Sequence, residues 1–162
     1  MVQRVFTQVF VVAGAIIEKD SKILLVREAG KRVDTGKWNH PAGWVDPGEH
    51  PLNAVKREVR EETGFDFTPT HILGIYSLVR KDAEHELGTT PHALKIIFLG
   101  TLSGKKRALH SDVSETRWFS LEEISTMDMA TLRDLDIKQM AKDYFAGKRH
   151  SLELLRHTMS VR

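Results

Sequence analysis

The stretch GWVDPGEHPLNAVKREVREETGF, from Gly43 to Phe65, decides how the rest of the chain is read. Its middle, from about Leu52 to Thr63, has the period of an amphipathic helix. Leu52, Val55 and Val59 form an apolar stripe for packing onto a core. Glu58, Glu61 and Glu62 gather on an adjacent face, three and four residues apart. Gly64 follows as a C-cap glycine, Pro51 suits a first helical turn, and Asp46-Pro47-Gly48-Glu49-His50 has turn chemistry. Glu58 and Glu62 are like charges one turn apart, which costs an isolated helix roughly 0.2–0.5 kcal/mol. With a third carboxylate beside them, they suit a hard divalent cation such as magnesium, which takes oxygen ligands and keeps several waters. The competing reading is a solvated Glu/Lys/Arg-rich face, which composition alone favours.

The spacing around the helix decides between the two. Gly43, five residues, Glu49, seven residues, Arg57-Glu58-Val59, one residue, Glu61-Glu62, one residue, then Gly64 and a bulky apolar residue: this resembles the Nudix box, the signature of the Nudix hydrolases, with every fixed position filled. Phe65 stands where an aliphatic residue is usual, a matter of packing rather than chemistry. The resemblance implies an α/β fold, the Nudix α/β/α sandwich with a mixed β-sheet. It also implies hydrolysis of a pyrophosphate linked to another moiety, with Mg²⁺ as cofactor and Mn²⁺ as its substitute. By the same resemblance Glu58 and Glu62 are the main metal ligands, Glu61 is a third ligand or orients a water, and the carbonyl of Ala42 or Gly43 completes the shell. Arg57 orients Glu49 across the loop, or else makes an ordinary helix-surface pair with Glu61. The catalytic set is thus Glu58, Glu61, Arg57 and Glu49, with the general base unassigned.

Further strings, Trp38-Asn39-His40-Pro41-Ala42-Gly43, Arg117-Trp118-Phe119 and Tyr144-Phe145-Ala146-Gly147-Lys148-Arg149, resemble the NudJ-type branch. That branch implies action on nucleoside di- and triphosphates or thiamine-type pyrophosphates. Rival readings are an ADP-ribose or sugar-nucleotide pyrophosphatase, a 5′-end RNA pyrophosphohydrolase, and a Nudix-fold sensor that binds a nucleotide without cleaving it. The RNA reading asks for a broader basic surface than Lys105-Lys106-Arg107, and the sensor reading for an eroded box.

At 162 residues, with 41% hydrophobic and 28% charged residues, the chain has the size and composition of one soluble domain, here residues 1–162. The net charge of +2 favours approach of an anionic substrate without implying nucleic acid as a partner. With no cysteine there is neither a disulfide nor a thiolate metal site, which suits a cytoplasmic location. Eight histidines lack zinc spacing. The run Val9–Ile17 imitates a signal peptide but is short and β-branched, with Glu18-Lys19-Asp20-Ser21 after it, so it reads as a buried strand. No apolar stretch is long enough to span a bilayer.

Along the chain, residues 8–18 and 22–28 read as a hairpin, and 29–37 as a loop. Residues 71–80, 93–102 and 115–119 read as strands. Ser120 reads as the cap of a short helix with Glu123 at the capping-box position, and 132–145 as a closing helix stopped by Gly147. The tail Ser151-Leu152-Glu153-Leu154-Leu155 packs on its own domain or on a second copy in a homodimer. For the small-molecule nucleotide or pyrophosphate substrate, Arg27, Lys37 and Arg80 are candidates to meet phosphate, and Trp38, Tyr76 and Phe98 to stack on a base. Asp112 and Glu115, and more distantly Asp82, Glu84 and Glu86, are candidates for one further acid. His85 and His92 are candidate acid–base helpers.

Overall fold

The computed structural model describes residues 9–30, 34–84 and 88–160. His85 and Glu86 lie outside the described residues. Among the described residues, eight strands, β1 (Val9–Ile16), β2 (Glu18–Lys19), β3 (Lys22–Glu28), β4 (Trp38–Asn39), β5 (Ala42–Trp44), β6 (Asp66–Val79), β7 (His92–Ser103) and β8 (Val113–Ser120), form two sheets. Three α-helices accompany them among the described residues: α1 (Pro51–Thr63), α2 (Leu121–Thr126) and α3 (Asp136–Phe145). One sheet has the order β5-β1-β7-β6 and is mixed, β1 running parallel to β7 and antiparallel to β5. In the other, β3 pairs antiparallel with β2, β4 and β8.

The apolar stripes set the layers. Ala54, Val55 and Val59 of α1 pack with Ala13, Ala15, Ile17, Leu24, Ile72 and Phe98. On the other side Ile124 of α2 and Ile137, Met140 and Ala141 of α3 pack with Ile16, Ile23, Leu25, Trp38, Leu73 and Phe119. The sheets therefore lie between helices, the α/β/α sandwich with a mixed sheet. Among the described residues no helix is long and apolar enough to cross a membrane.

Three expectations change, the first being that the strand read over residues 71–80 begins at Asp66, where its pairing with β7 starts opposite Ser103. The hairpin of residues 8–18 with 22–28 is confined to its tip, where Glu18 and Lys19 pair with Ile23 and Lys22 around Asp20 and Ser21, both at positive φ. β1 leaves for the other sheet, because Ala13, Ala15 and Ile16 are buried and a strand covered on both faces suits a parallel neighbour. The closing helix starts at Asp136 rather than 132, because the backbone before it is already engaged. Trp38 N–H donates to Thr131 O (2.8 Å) and Arg133 N–H to Trp38 O (2.9 Å), a short parallel pairing beside β4. The tail packs on its own domain: His150 pairs with Ile72 of the edge strand β6, and Leu152 and Leu155 lie against the α1 cluster.

Candidate active site

Both ends of α1 are fastened. His50 Nδ1 accepts the Leu52 N–H (3.1 Å), Pro51 opens the helix, and Gly64 closes it at φ +78°. Beyond the C-terminus the loop between β7 and β8 supplies donors for the last carbonyls: Arg107 N–H to Gly64 O (2.9 Å) and His110 N–H to Glu61 O (2.8 Å). Asp66 adds a side-chain clamp, accepting from Arg60 Nε (2.8 Å) and from both amino groups of Arg107 (3.0 and 2.9 Å). The turn bearing Glu58, Glu61 and Glu62 is thereby fixed against the strands.

Ala42 N–H of β5 donates to Glu62 Oε2 (2.9 Å). Burial pushes the Glu62 carboxyl well above the usual range; the Ala42 bond opposes this, and the charges of Glu28 and Glu58 add to it. Glu58 is likewise pushed up by burial, against the pull of Arg57. A Cβ on Gly43 would overlap the Glu58 carboxylate, so glycine is what lets β5 lie against it. Arg57 gathers the rest. Its Nε and Nη2 donate to the two oxygens of Glu49 (3.0 and 2.9 Å), its Nη1 donates to Glu58, and its Nη2 also reaches Trp44 O (3.0 Å). These bonds hold the Glu49 carboxyl below its ordinary value. Glu61 stays exposed, with Arg57 at 3.8 Å.

Glu58, Glu61, Glu62, Ala42, Gly43, Arg57 and Glu49 are thus brought to one place. The donor set is all oxygen, and two of its carboxylates carry uncompensated burial, which fits a hard divalent cation. Among the described residues no three His, Asp or Glu side chains are already drawn into a metal-ligating cluster: Glu58 turns to Arg57 and Glu62 to Ala42.

The substrate-side candidates are not brought there. Arg27, Trp38 and Glu115 are cross-strand partners, and alternation puts them on the face of the antiparallel sheet that carries Ile23 and Leu25, toward α2 and α3. Arg27 pairs with Glu115 (3.6 Å) and lies over the Trp38 ring, while Trp38 is buried edge-on to Phe119. Tyr76 packs against the same core and donates its hydroxyl to Asp143 (2.8 Å). Phe98 is fully buried. Arg80 is consumed by Asp34, Asp82 and Asp134 at 2.8–3.1 Å, which leaves no nitrogen for a phosphate. Lys37 pairs with Asp34, and His92 with Ser77 across the strand. Asp112 accepts the Ala29 N–H on its carbonyl, near the C-terminal end of α1, with its carboxylate 3.6 Å from His110. Glu84 is exposed.

Alternation along β3 turns Leu24, Val26 and Glu28 toward α1, joined by Asn39 of β4 and Thr116 and Trp118 of β8. Glu28 accepts from Asn39 Nδ2 (3.3 Å) and from Arg133 Nη1 (2.8 Å). Sequence reasoning passed over Glu28, Asn39 and Arg133. The signal for Glu28 was its position one residue beyond Arg27, on the opposite face. Arg133 had none, because a loop far along the chain delivers it.

Residues 8–142 match the family model of the NUDIX domain. Among curated proteins, the chain is 30% identical over 145 residues to an ADP-ribose pyrophosphatase of Methanocaldococcus jannaschii, covering 90% of this chain and 78% of that one. It is 29% identical over 149 residues to the phosphatase NudJ of Escherichia coli K12, covering 90% and 89%. Among solved structures, a NUDIX hydrolase from Nitrosomonas europaea superposes with a TM-score of 0.80 at 37% identity, covering 93% of this chain and 98% of that one.

Proposed function

The chain belongs to the Nudix hydrolase family, and on that premise we propose that it is a Mg²⁺-dependent pyrophosphohydrolase acting on a nucleoside di- or triphosphate or a thiamine-type pyrophosphate in the cytoplasm. The observation that carries the reading is the pair Glu58 and Glu62, one turn apart, recessed, and held by Arg57 and by the Ala42 N–H. Glu58 and Glu62, with Glu61 and the carbonyl of Ala42 or Gly43, would hold the cation. When bound, it neutralises phosphate oxygens and lowers the pKa of water.

The remaining work falls to the chain. Arg57 fixes Glu58 while its bidentate hold on Glu49 keeps the guanidinium from swinging away. Ala42 N–H fixes one Glu62 oxygen and leaves the other for the cation. Glu61, exposed beside Arg57, would either join the cation's ligands or orient a water at the mouth of the site.

The similarity to the phosphatase NudJ supports the branch whose resemblance implies nucleotide and thiamine-type substrates, and the similarity to the M. jannaschii ADP-ribose pyrophosphatase supports ADP-ribose as the second reading. The complete box, with Arg57 and Glu49 engaged, argues against a sensor that binds without cleaving. The test is release of phosphate and pyrophosphate from nucleoside di- and triphosphates, thiamine pyrophosphate, ADP-ribose and 5′-triphosphate RNA, with Mg²⁺, Mn²⁺ or EDTA. Metal-dependent turnover that vanishes in Glu62→Gln supports the reading, and the preferred substrate decides the branch. Binding without turnover on every compound would overturn it.

A further inference from the structure

An anionic substrate entering this site meets Glu28, Glu58, Glu61 and Glu62, so cationic donors besides a metal matter. Arg57 has none to give: Nε, Nη1 and Nη2 all donate within the protein. Arg27 lies on the opposite face of its sheet, and Arg80 is tied to three aspartates. Arg133 is different. Its backbone is pinned by the bond to Trp38 O and by the fully buried Leu132 before it. Its Nη1 is braced on Glu28 (2.8 Å), and its buried Nε lies 3.4 Å from Asp34 without a hydrogen-bond partner among the described residues. Nη2 has no hydrogen-bond or ion-pair partner among the described residues, and the side chain is 29% exposed. Its partner Glu28 lies on the face of β3 that Leu24 turns toward α1, which places Arg133 on the side of the sheet facing the carboxylate site.

We propose that Arg133 is a substrate-binding residue: braced by Glu28 and Asp34, it presents Nη2 to an anionic phosphate oxygen of a substrate seated on Glu58 and Glu62. The assignment rests on the phosphoanhydride reading of the site and adds the donor that the box does not contain. The brace matters because a guanidinium already fixed at Nη1 by Glu28 loses little freedom on taking an anion, and its planar fork fixes the direction of the remaining N–H groups. Glu28 and Asp34 also balance the charge of Arg133 when the site is empty of substrate.

The experiment is calorimetric binding of methylenediphosphonate, a non-hydrolysable pyrophosphate analogue, in saturating Mg²⁺, to the wild type, Arg133→Met and Arg133→Lys. It is read beside Mg²⁺ binding alone and thermal melting of each protein. Loss of one charge-assisted hydrogen bond weakens analogue binding by about 10–100-fold in Arg133→Met. Arg133→Lys, which keeps the charge but not the fork, falls between. Mg²⁺ affinity stays within about 3-fold of wild type, and KM rises more than kcat falls. Unchanged analogue binding in Arg133→Met overturns the assignment. So does a loss of Mg²⁺ affinity matching the loss of analogue binding, which would make Arg133 a prop for Glu62. Should Arg133→Met fail to fold, Arg133→Lys decides on the same two readouts. Arg133-dependent binding in a protein that turns over nothing would sustain this site while the hydrolase reading fell.

Discussion

Glu62 is held in an environment that opposes its own charge, and the consequence runs in two directions. Because its folded pKa is raised, an ionised Glu62 weakens the fold at every pH above its unfolded value near 4.5. Glu62→Gln keeps an oxygen for the Ala42 N–H and removes the charge. Its melting temperature at pH 8 in EDTA should equal or exceed that of the wild type. Adding Mg²⁺ should raise the wild-type melting temperature and leave the variant's unmoved, by linkage to binding. Turnover in the variant should fall by more than about 10²-fold, since even outer partners of metal sites are worth about 10–100-fold. A variant that melts lower in EDTA would show that the charge is compensated in a way this geometry does not provide. Arg57 makes the complementary case. A lysine there offers one ammonium where the structure uses three nitrogens on Glu49, Glu58 and Trp44 O. Arg57→Lys should therefore lower kcat by about 10–100-fold with its charge intact. A kcat within about 2-fold of wild type would reduce Arg57 to a point charge.

At the scale of elements, the catalytic helix is aimed by what lies beyond its C-terminus. Gly64 sits at φ +78°, and a Cβ there would overlap the Arg107 carbonyl, whose own N–H is bonded to Gly64 O. Gly64→Ala combines left-handed strain with a backbone clash, and should cost at least about 1–2 kcal/mol in urea unfolding. It should also lower kcat, because the loop that caps Glu61 O is pushed away; a loss of stability with kcat unchanged would uncouple the loop from the site. This helix was legible before any coordinates, as was the cap at Ser120 with Glu123, because caps, glycines and the 3.6-residue period are local chemistry. The far wall of the site was not. Ile23-Leu24-Leu25-Val26 is apolar on both faces, since the strand is covered on both, so its alternation is invisible until the run ends at Arg27 and Glu28. The exposed-looking Arg27 drew attention, and the half-hidden Glu28 faces the carboxylates. Arg80 misled for a related reason: the aspartates that absorb it come from positions 34 and 134, distances in sequence that no local pattern reports.

Across the whole molecule, the chain passes from the antiparallel sheet to the mixed sheet between Asn39 and Ala42, and His40 fills the junction. Its ring occupies space that a Cβ on Gly14 would need, so β1 and the crossing segment are fitted to each other around an imidazole. Burial, with the Lys95 charge adding to it, lowers the His40 pKa from 6.5 to about 3, and its Nε2 has no hydrogen-bond partner among the described residues. The folded protein therefore keeps His40 neutral while the unfolded chain protonates it below pH 6.5. Below that value the unfolded state binds the extra proton, so stability falls as pH drops through the window from 6.5 to about 3. Between pH 7 and pH 5 the loss attributable to this one group is about 2 kcal/mol. Glu58 and Glu62 act with the opposite sign, since protonating a carboxyl whose folded pKa is raised favours the fold as pH falls toward 4.5. The wild-type pH profile alone mixes these contributions. Subtracting His40→Asn separates them, because both proteins share the carboxylates. In urea unfolding at pH 7 and pH 5, the stability difference, wild type minus variant, should shrink by about 2 kcal/mol at the lower pH. A difference that stays constant across the two would mean that the junction opens enough to let the imidazole take its proton in the folded state.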